Sequence, residues 1–200
     1  MPQIIAPVSY TSEPPPNPFR WTRRHCRAAV DANILVGRYE LIEGEVILKM
    51  GQGPLHAYVI TRLTVWLMTL FGADFVRFQL PMRLLGRDSE TSEPEPDALV
   101  LARPASEFLR ENPGADDALL VVEISDTTLS FDRNTKAALY ARASIPEYWI
   151  VDISGRRIFV HRQPTSSGYG ELIAYGEGEE TDTLAYPEQS VRVTDLLPPV

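Results

Sequence analysis

The sequence predicts a mixed α/β (α+β) domain, on three observations. Short apolar runs, at 98–101, 118–122 and 148–151, have the length and composition of buried strands. Val59, Leu63, Trp66, Leu67 and Leu70 recur at the three- and four-residue spacing of a helix's buried side. Segments of strand character joined through Glu43-Gly44 and Ser154-Gly155 add β-hairpins to that core.

Two hundred residues, 44% of them hydrophobic, suffice for one sizeable core and are too few for two. The expectation is a single domain over residues 21–200 behind an extended arm, 1–20, in which SEPPPNP forbids regular hydrogen bonding. The 27 acidic against 19 basic residues give a net charge of −8, which argues against a general polyanion binder while leaving room for a small cationic patch. Cys26 is the only cysteine, which excludes a disulfide within the chain and a cysteine-rich zinc site, and points to a reducing compartment. The N-terminus lacks a basic region followed by a long apolar core, and apolar runs fall far short of the roughly 20 residues that span a bilayer. A cytoplasmic protein without a membrane partner is expected.

Taken in order, Trp21–Leu35 reads as a helix begun at Thr22, with Trp21, Cys26, Ala29, Val30 and Ile34 on one side. Arg23, Arg24 and Arg27 lie on the other, as a solvated face or as phosphate contacts. Residues 39–42 and 46–50 form strands across the Glu43-Gly44 turn. Gly51-Gln52-Gly53 then breaks the chain, and Pro54 suits the first turn of a core helix running to Phe71. His56, at its start, is disfavoured as a cation and serves as a neutral capping group or as a site residue. Residues 75–80 alternate as a strand that Pro81 ends, and 86–93 is a polar loop. A helix spans 129–143 and stops at Ile145-Pro146. A hairpin follows from YWIVD to RRIFVHR; ELIAYGEGEE gives a strand and an acidic loop; SVRVTDLLP closes with a short strand and a turn holding Asp195. Tyr148 and Trp149 are core or interface aromatics. With Phe159 and the exposed hairpin they suggest a homodimer, which would suit a nuclease cutting both strands of a duplex.

The chemistry concentrates between Glu95 and Asp152. Asp97 opens one apolar strand and Glu123 closes another, so adjacent strands would bring both carboxylates into one pocket. An acid ending ALLVV in a doubly buried strand must be paired or metal-bound. Hard cations such as Mg²⁺ or Mn²⁺ need only one or two carboxylates plus water and substrate phosphate, and a lysine nearby offsets developing negative charge. Lys136, 13 residues after Glu123, falls on the next helix. Two competing readings stand beside this one: a salt bridge of Lys136 with Glu123, or a surface pair of Lys136 with Asp132 four residues away.

The order Pro96-Asp97, then Glu123-Ile124-Ser125, resembles the PD-(D/E)XK signature of the restriction-endonuclease-like superfamily, except that Ser125 occupies the lysine position. In related sequences that lysine can migrate to the following helix, which makes Lys136 its counterpart. VVEISDTTLSFDRNTKAALYARASIPEYWIVD, with RYELIEGEV, PLHAYVITRL and RFQLPMRL, resembles the Uma family of restriction endonucleases over about residues 38–162. The resemblance implies a restriction-endonuclease-like core, a mixed β-sheet flanked by helices, and a metal-dependent endonuclease acting on nucleic acid, DNA in preference to RNA. It implies that Asp97 and Glu123 bind Mg²⁺ or Mn²⁺ with the Ile124 carbonyl as a third ligand, and that Lys136 assists the attacking water. Glu45 lies near the active site in the resemblance, and a solvent-facing strand acid is its other reading. A noncatalytic relative that keeps the fold as a binding or assembly module is the alternative function.

Overall fold

The computed structural model describes residues 18–49 and 51–199, so nearly all of the expected N-terminal arm lies outside the described residues. Its centre is a six-stranded mixed sheet in the order β3-β4-β5-β6-β7-β8. These strands are β3 (Val76–Phe78), β4 (Ala98–Leu101), β5 (Ala118–Ser125), β6 (Glu147–Asp152), β7 (Arg157–Thr165) and β8 (Gly168–Gly176). Every neighbouring pair is antiparallel except β5 and β6. That parallel pair needs a crossover. It is built from α3 (Leu129–Phe131), a π-helical turn (Asp132–Lys136) and α4 (Ala137–Arg142).

Alternation along the central strands sends side chains into two cores. On one face, Val59, Leu63 and Leu67 of α2 (Pro54–Phe71) pack over Val100, Leu120, Val122 and Val151, together with Val193 and Leu196 of α5 (Val193–Leu196). Trp66 stacks on Trp149 with ring centroids 5.6 Å apart, a contact that joins α2 to β6. On the other face, Leu139, Tyr140 and Ile145 cover Leu99, Val121, Tyr148 and Ile150. The sheet is thus buried on both sides, which is why its central strands read as continuous apolar runs.

Two hairpins flank the sheet: β1 (Tyr39–Ile42) with β2 (Glu45–Leu48), and β9 (Glu180–Thr183) with β10 (Tyr186–Arg192). Glu43 and Gly44 both have positive φ, 49° and 83°, the backbone of a two-residue turn whose twist matches its strands. The first helix, α1 (Arg23–Asp31), is capped by Thr22, whose hydroxyl accepts the His25 N–H. It is shorter than the spacing suggested, and Val30 and Ile34 are exposed. The acidic loop after β8 gives way to a strand, because Thr181 and Thr183 alternate inward beneath their acidic neighbours. The last segment is the short helix α5 rather than a turn, with Asp195 on it.

Tyr148, Trp149 and Phe159 are interior residues of one chain. They offer no surface to a second copy, and the homodimer expectation loses the cluster on which it stood. None of the described helices is long and apolar enough to cross a membrane.

Candidate active site

The register of β4 on β5 builds the site. Ala98 lies opposite Val122 in an antiparallel pair, and carrying that register on by one residue sets Asp97 opposite Glu123. Directly opposed residues hold their Cβ atoms about 4.5–5.5 Å apart on one face. Asp97 sits just outside the first residue of β4 and Glu123 near the end of β5, so both stand at the same end of the sheet, where the layers above and below can reach them.

From the α2 layer, Nε2 of His56 lies 3.2 Å from Asp97 Oδ2. The same oxygen accepts the Ile124 backbone N–H at 2.8 Å, and Gln79 reaches Oδ1 at 3.4 Å. Burial pushes the Asp97 carboxyl up, but the hydrogen bond and charge of His56, the Ile124 N–H and the nearby Lys49 outweigh it and hold the group below its ordinary value.

From the crossover helix, Nζ of Lys136 donates to Glu123 Oε1 at 2.8 Å and lies 3.0 Å from Glu40 Oε2. The Tyr140 hydroxyl donates to the same Glu123 oxygen at 2.8 Å. Asp132 and Lys136 stand at the two ends of the π-turn and both line the cavity. Both are buried, so the surface pair of Asp132 with Lys136 does not form; Asp132 instead accepts the Thr128 hydroxyl at 2.6 Å. Burial lowers the Lys136 amine, yet Glu123, Glu40 and Asp132 together lift it well above the ordinary ammonium range. Glu123 is pushed up to about 8 by burial, with Asp97 and Glu40 adding to the push and Lys136 opposing it.

His56, Asp97, Glu123 and Lys136 line a cavity of about 290 Å³. Its carboxylates, Glu40, Asp97, Glu123, Asp126 and Asp132, outnumber its permanent cations, Arg38, Lys49 and Lys136. Arg38 is engaged with Glu95 at 3.0 Å, and Lys49 with the Glu95 carbonyl. A surplus of buried negative charge, expressed in the raised Glu123, fits a divalent cation. Among the described residues no group of three or more His, Cys, Asp or Glu side chains is arranged to hold a metal ion. A site of two carboxylates suits Mg²⁺, which keeps several waters, and not a structural metal. Ile124 also lines the cavity, and its N–H points at Asp97.

Of the two auxiliary candidates, His56 lines the cavity and Glu45 does not. Glu45 pairs with Ile42 at the closing end of the hairpin and is exposed, two positions too near the turn to reach. Glu40, on the facing strand and toward the open end, takes that place. Sequence reasoning missed it, along with Tyr140 and Gln79. The signal for Glu40 was an acid between the apolar residues of a strand, and for Tyr140 its position four residues after Lys136.

Residues 36–194 match the family Uma2, described as "Putative restriction endonuclease". No curated protein matches the chain. Among solved structures, a "putative nuclease belonging to DUF820" from Anabaena variabilis ATCC 29413 is 18% identical and superposes with a TM-score of 0.61 over 84% of this chain and 95% of that one. At that identity the likeness is one of fold: the same mixed sheet between helices. Because the family match spans most of the chain, including the whole Asp97–Lys136 site, the chain belongs to the Uma2 family.

Proposed function

We propose that the protein is a divalent-metal-dependent endonuclease that hydrolyses phosphodiester bonds of nucleic acid, with DNA as its substrate. The observation that carries this reading is the meeting of Asp97, Glu123 and Lys136 in one acid-rich cavity, although they come from three separate elements. Asp97 and Glu123, with the Ile124 carbonyl, are the groups that would hold Mg²⁺ or Mn²⁺. When bound, such an ion supplies a Lewis acid for the scissile phosphate and lowers the pKa of a water.

The chain's own residues do the rest. Asp97 is kept ionised by His56 and the Ile124 N–H, so it is ready to bind a cation near neutral pH. Lys136 has three N–H donors, of which Glu123 and Glu40 engage two. The third has no partner among the described residues and can reach an attacking water or a phosphoryl oxygen, where a fixed positive charge stabilises the transition state. Tyr140 fixes one Glu123 oxygen and leaves the other to the cavity.

One observation favours the scaffold reading instead: Ser125 stands at the signature lysine position, and Lys136 is enclosed between two carboxylates as a structural ion pair would be. The test combines activity with binding. Supercoiled plasmid and labelled oligonucleotides are incubated with the protein and Mg²⁺ or Mn²⁺, and thermal melts are recorded with and without the ion. Cleavage and a metal-induced rise in Tm, both lost in Asp97→Asn, support the nuclease; neither cleavage nor metal response leaves the scaffold.

A further inference from the structure

The reacting groups are recessed. Asp97 is 5% exposed, and Glu123 and Lys136 are each 3% exposed. A scissile phosphate must therefore cross the cavity to reach them. At about 290 Å³ that space lies at the small end of ligand pockets, which run from about 300 to 1,000 Å³. A space of that size admits one unpaired nucleotide with its phosphate, whereas a base pair still stacked in a duplex stays outside it.

The walls carry the second observation. Contact with a duplex backbone calls for cationic and hydrogen-bonding groups. Here Arg38, Lys49 and Lys136 supply such cations, and beside them one wall is apolar, Ile47 and Leu48 of β2, with the aromatic Phe131 of α3 also bordering the cavity. Leu48 is 58% exposed, an apolar side chain left open at the rim. The Lys136 amine lies 6.0 Å from the centroid of the Phe131 ring, so a base stacked on that ring would sit beside the reacting centre. Aromatic rings that receive splayed bases are a mark of single-strand recognition.

Resting on the nuclease reading, we propose that the substrate enters unpaired: the site takes a single-stranded segment of DNA, an overhang, gap or flap, with one base lodged on Phe131 beside the apolar wall, and excludes intact duplex.

The full chain with Mn²⁺ is given one labelled oligonucleotide in three forms: single strand, blunt duplex, and duplex carrying a single-stranded flap. The single strand and the flap are expected to be cut, and the blunt duplex at least about tenfold more slowly, matching the loss of one stacked base. Equal cleavage of the blunt duplex overturns this inference and leaves the nuclease reading intact. Failure to cut any form, with no metal-induced rise in Tm, overturns both. Phe131→Leu keeps the packing volume and removes the aromatic face. It should raise KM for the single strand by roughly tenfold, keep kcat and preserve the Mn²⁺-induced rise in Tm. An unchanged KM removes the base slot.

Discussion

Oδ2 of Asp97 accepts the backbone N–H of Ile124 at 2.8 Å, which fastens the carboxylate at the start of β4 to the strand that carries Glu123. A side chain held by a backbone donor of the facing strand cannot drift from it without breaking a buried, charge-assisted hydrogen bond. The separation of the two acids is set by the sheet rather than by a loop, a rigidity that a metal site needs.

Asp97→Asn tests that arrangement. The amide keeps an oxygen for the Ile124 N–H and loses the charge that His56 favours, so the metal-free protein should lose about 1 to 2 kcal/mol of stability. Glu123→Gln should differ, because burial already favours the neutral form of that carboxyl and the amide resembles it. Its metal-free stability near pH 8 should stay level or rise. Both variants should lose the Mn²⁺-induced rise in Tm and all metal-dependent cleavage, measured by thermal melts and by cutting of labelled single-stranded and flap oligonucleotides.

The same raised carboxyl predicts a pH dependence. Glu123 titrates at about 8 when folded and near its ordinary 4.5 when unfolded, so between these values the folded state holds the extra proton. Stability must then fall as pH rises through that window and level off above it. Asp97, held low, contributes in the opposite sense: its stabilisation is present above about pH 4 and lost only in more acidic solution. Melts of the metal-free protein from pH 5 to pH 8 should therefore decline. Glu123→Gln, or saturating Mg²⁺, should flatten the curve, and an unchanged slope in the variant would assign the decline elsewhere.

His56 bonds to a proposed ligand rather than to the ion. Removing such a partner typically weakens metal binding 10- to 100-fold. His56→Ala should thus raise the Mn²⁺ Kd, read by titration calorimetry, by roughly tenfold while leaving Lys136 and Glu123 paired. An unchanged Kd would reduce His56 to a packing residue at the start of α2.

Much of this was legible in the sequence, for a physical reason. Strands buried on both faces leave continuous apolar runs, so the acids at the ends of 98–101 and 118–122 stood out against them, and opposing them needed only that the two strands be neighbours. Glu40 was hidden because its strand belongs to a flanking hairpin, where an acid ordinarily faces water; only the docking of that hairpin over Lys136 makes it a site residue. Glu45 misled for the matching reason, since pattern cannot tell which end of a hairpin reaches the cavity. The π-turn carries no sequence signal of its own. Four-residue spacing puts Asp132 and Lys136 on one side of the crossover, and nothing in that spacing tells whether the side meets water or the cavity.

Lys136 decides between catalyst and scaffold. Its amine is buried between Glu123 and Glu40, so Lys136→Ala removes the cation both acids share and should cost about 3–5 kcal/mol in the metal-free protein above pH 8, where Glu123 is ionised, and less below it. If the cavity takes a divalent ion, Mg²⁺ should restore part of that loss while turnover stays down by roughly a hundredfold or more, since the ion cannot replace a fixed charge at the attacking water. A purely structural pair predicts the same destabilisation with no response to metal. Ser125→Lys sharpens the comparison. Ser125 lies two residues after Glu123 and its side chain leaves the same face of β5, so a lysine there would direct an amine toward the same cavity. Added to Lys136→Ala, it should recover cleavage by at least about tenfold over the single variant if Lys136 does the work of the signature lysine. Ser125 is fully buried, so the double variant is first checked for a cooperative melt. A folded, metal-binding double variant with no recovered activity would show that Lys136 acts from a position the signature residue cannot serve.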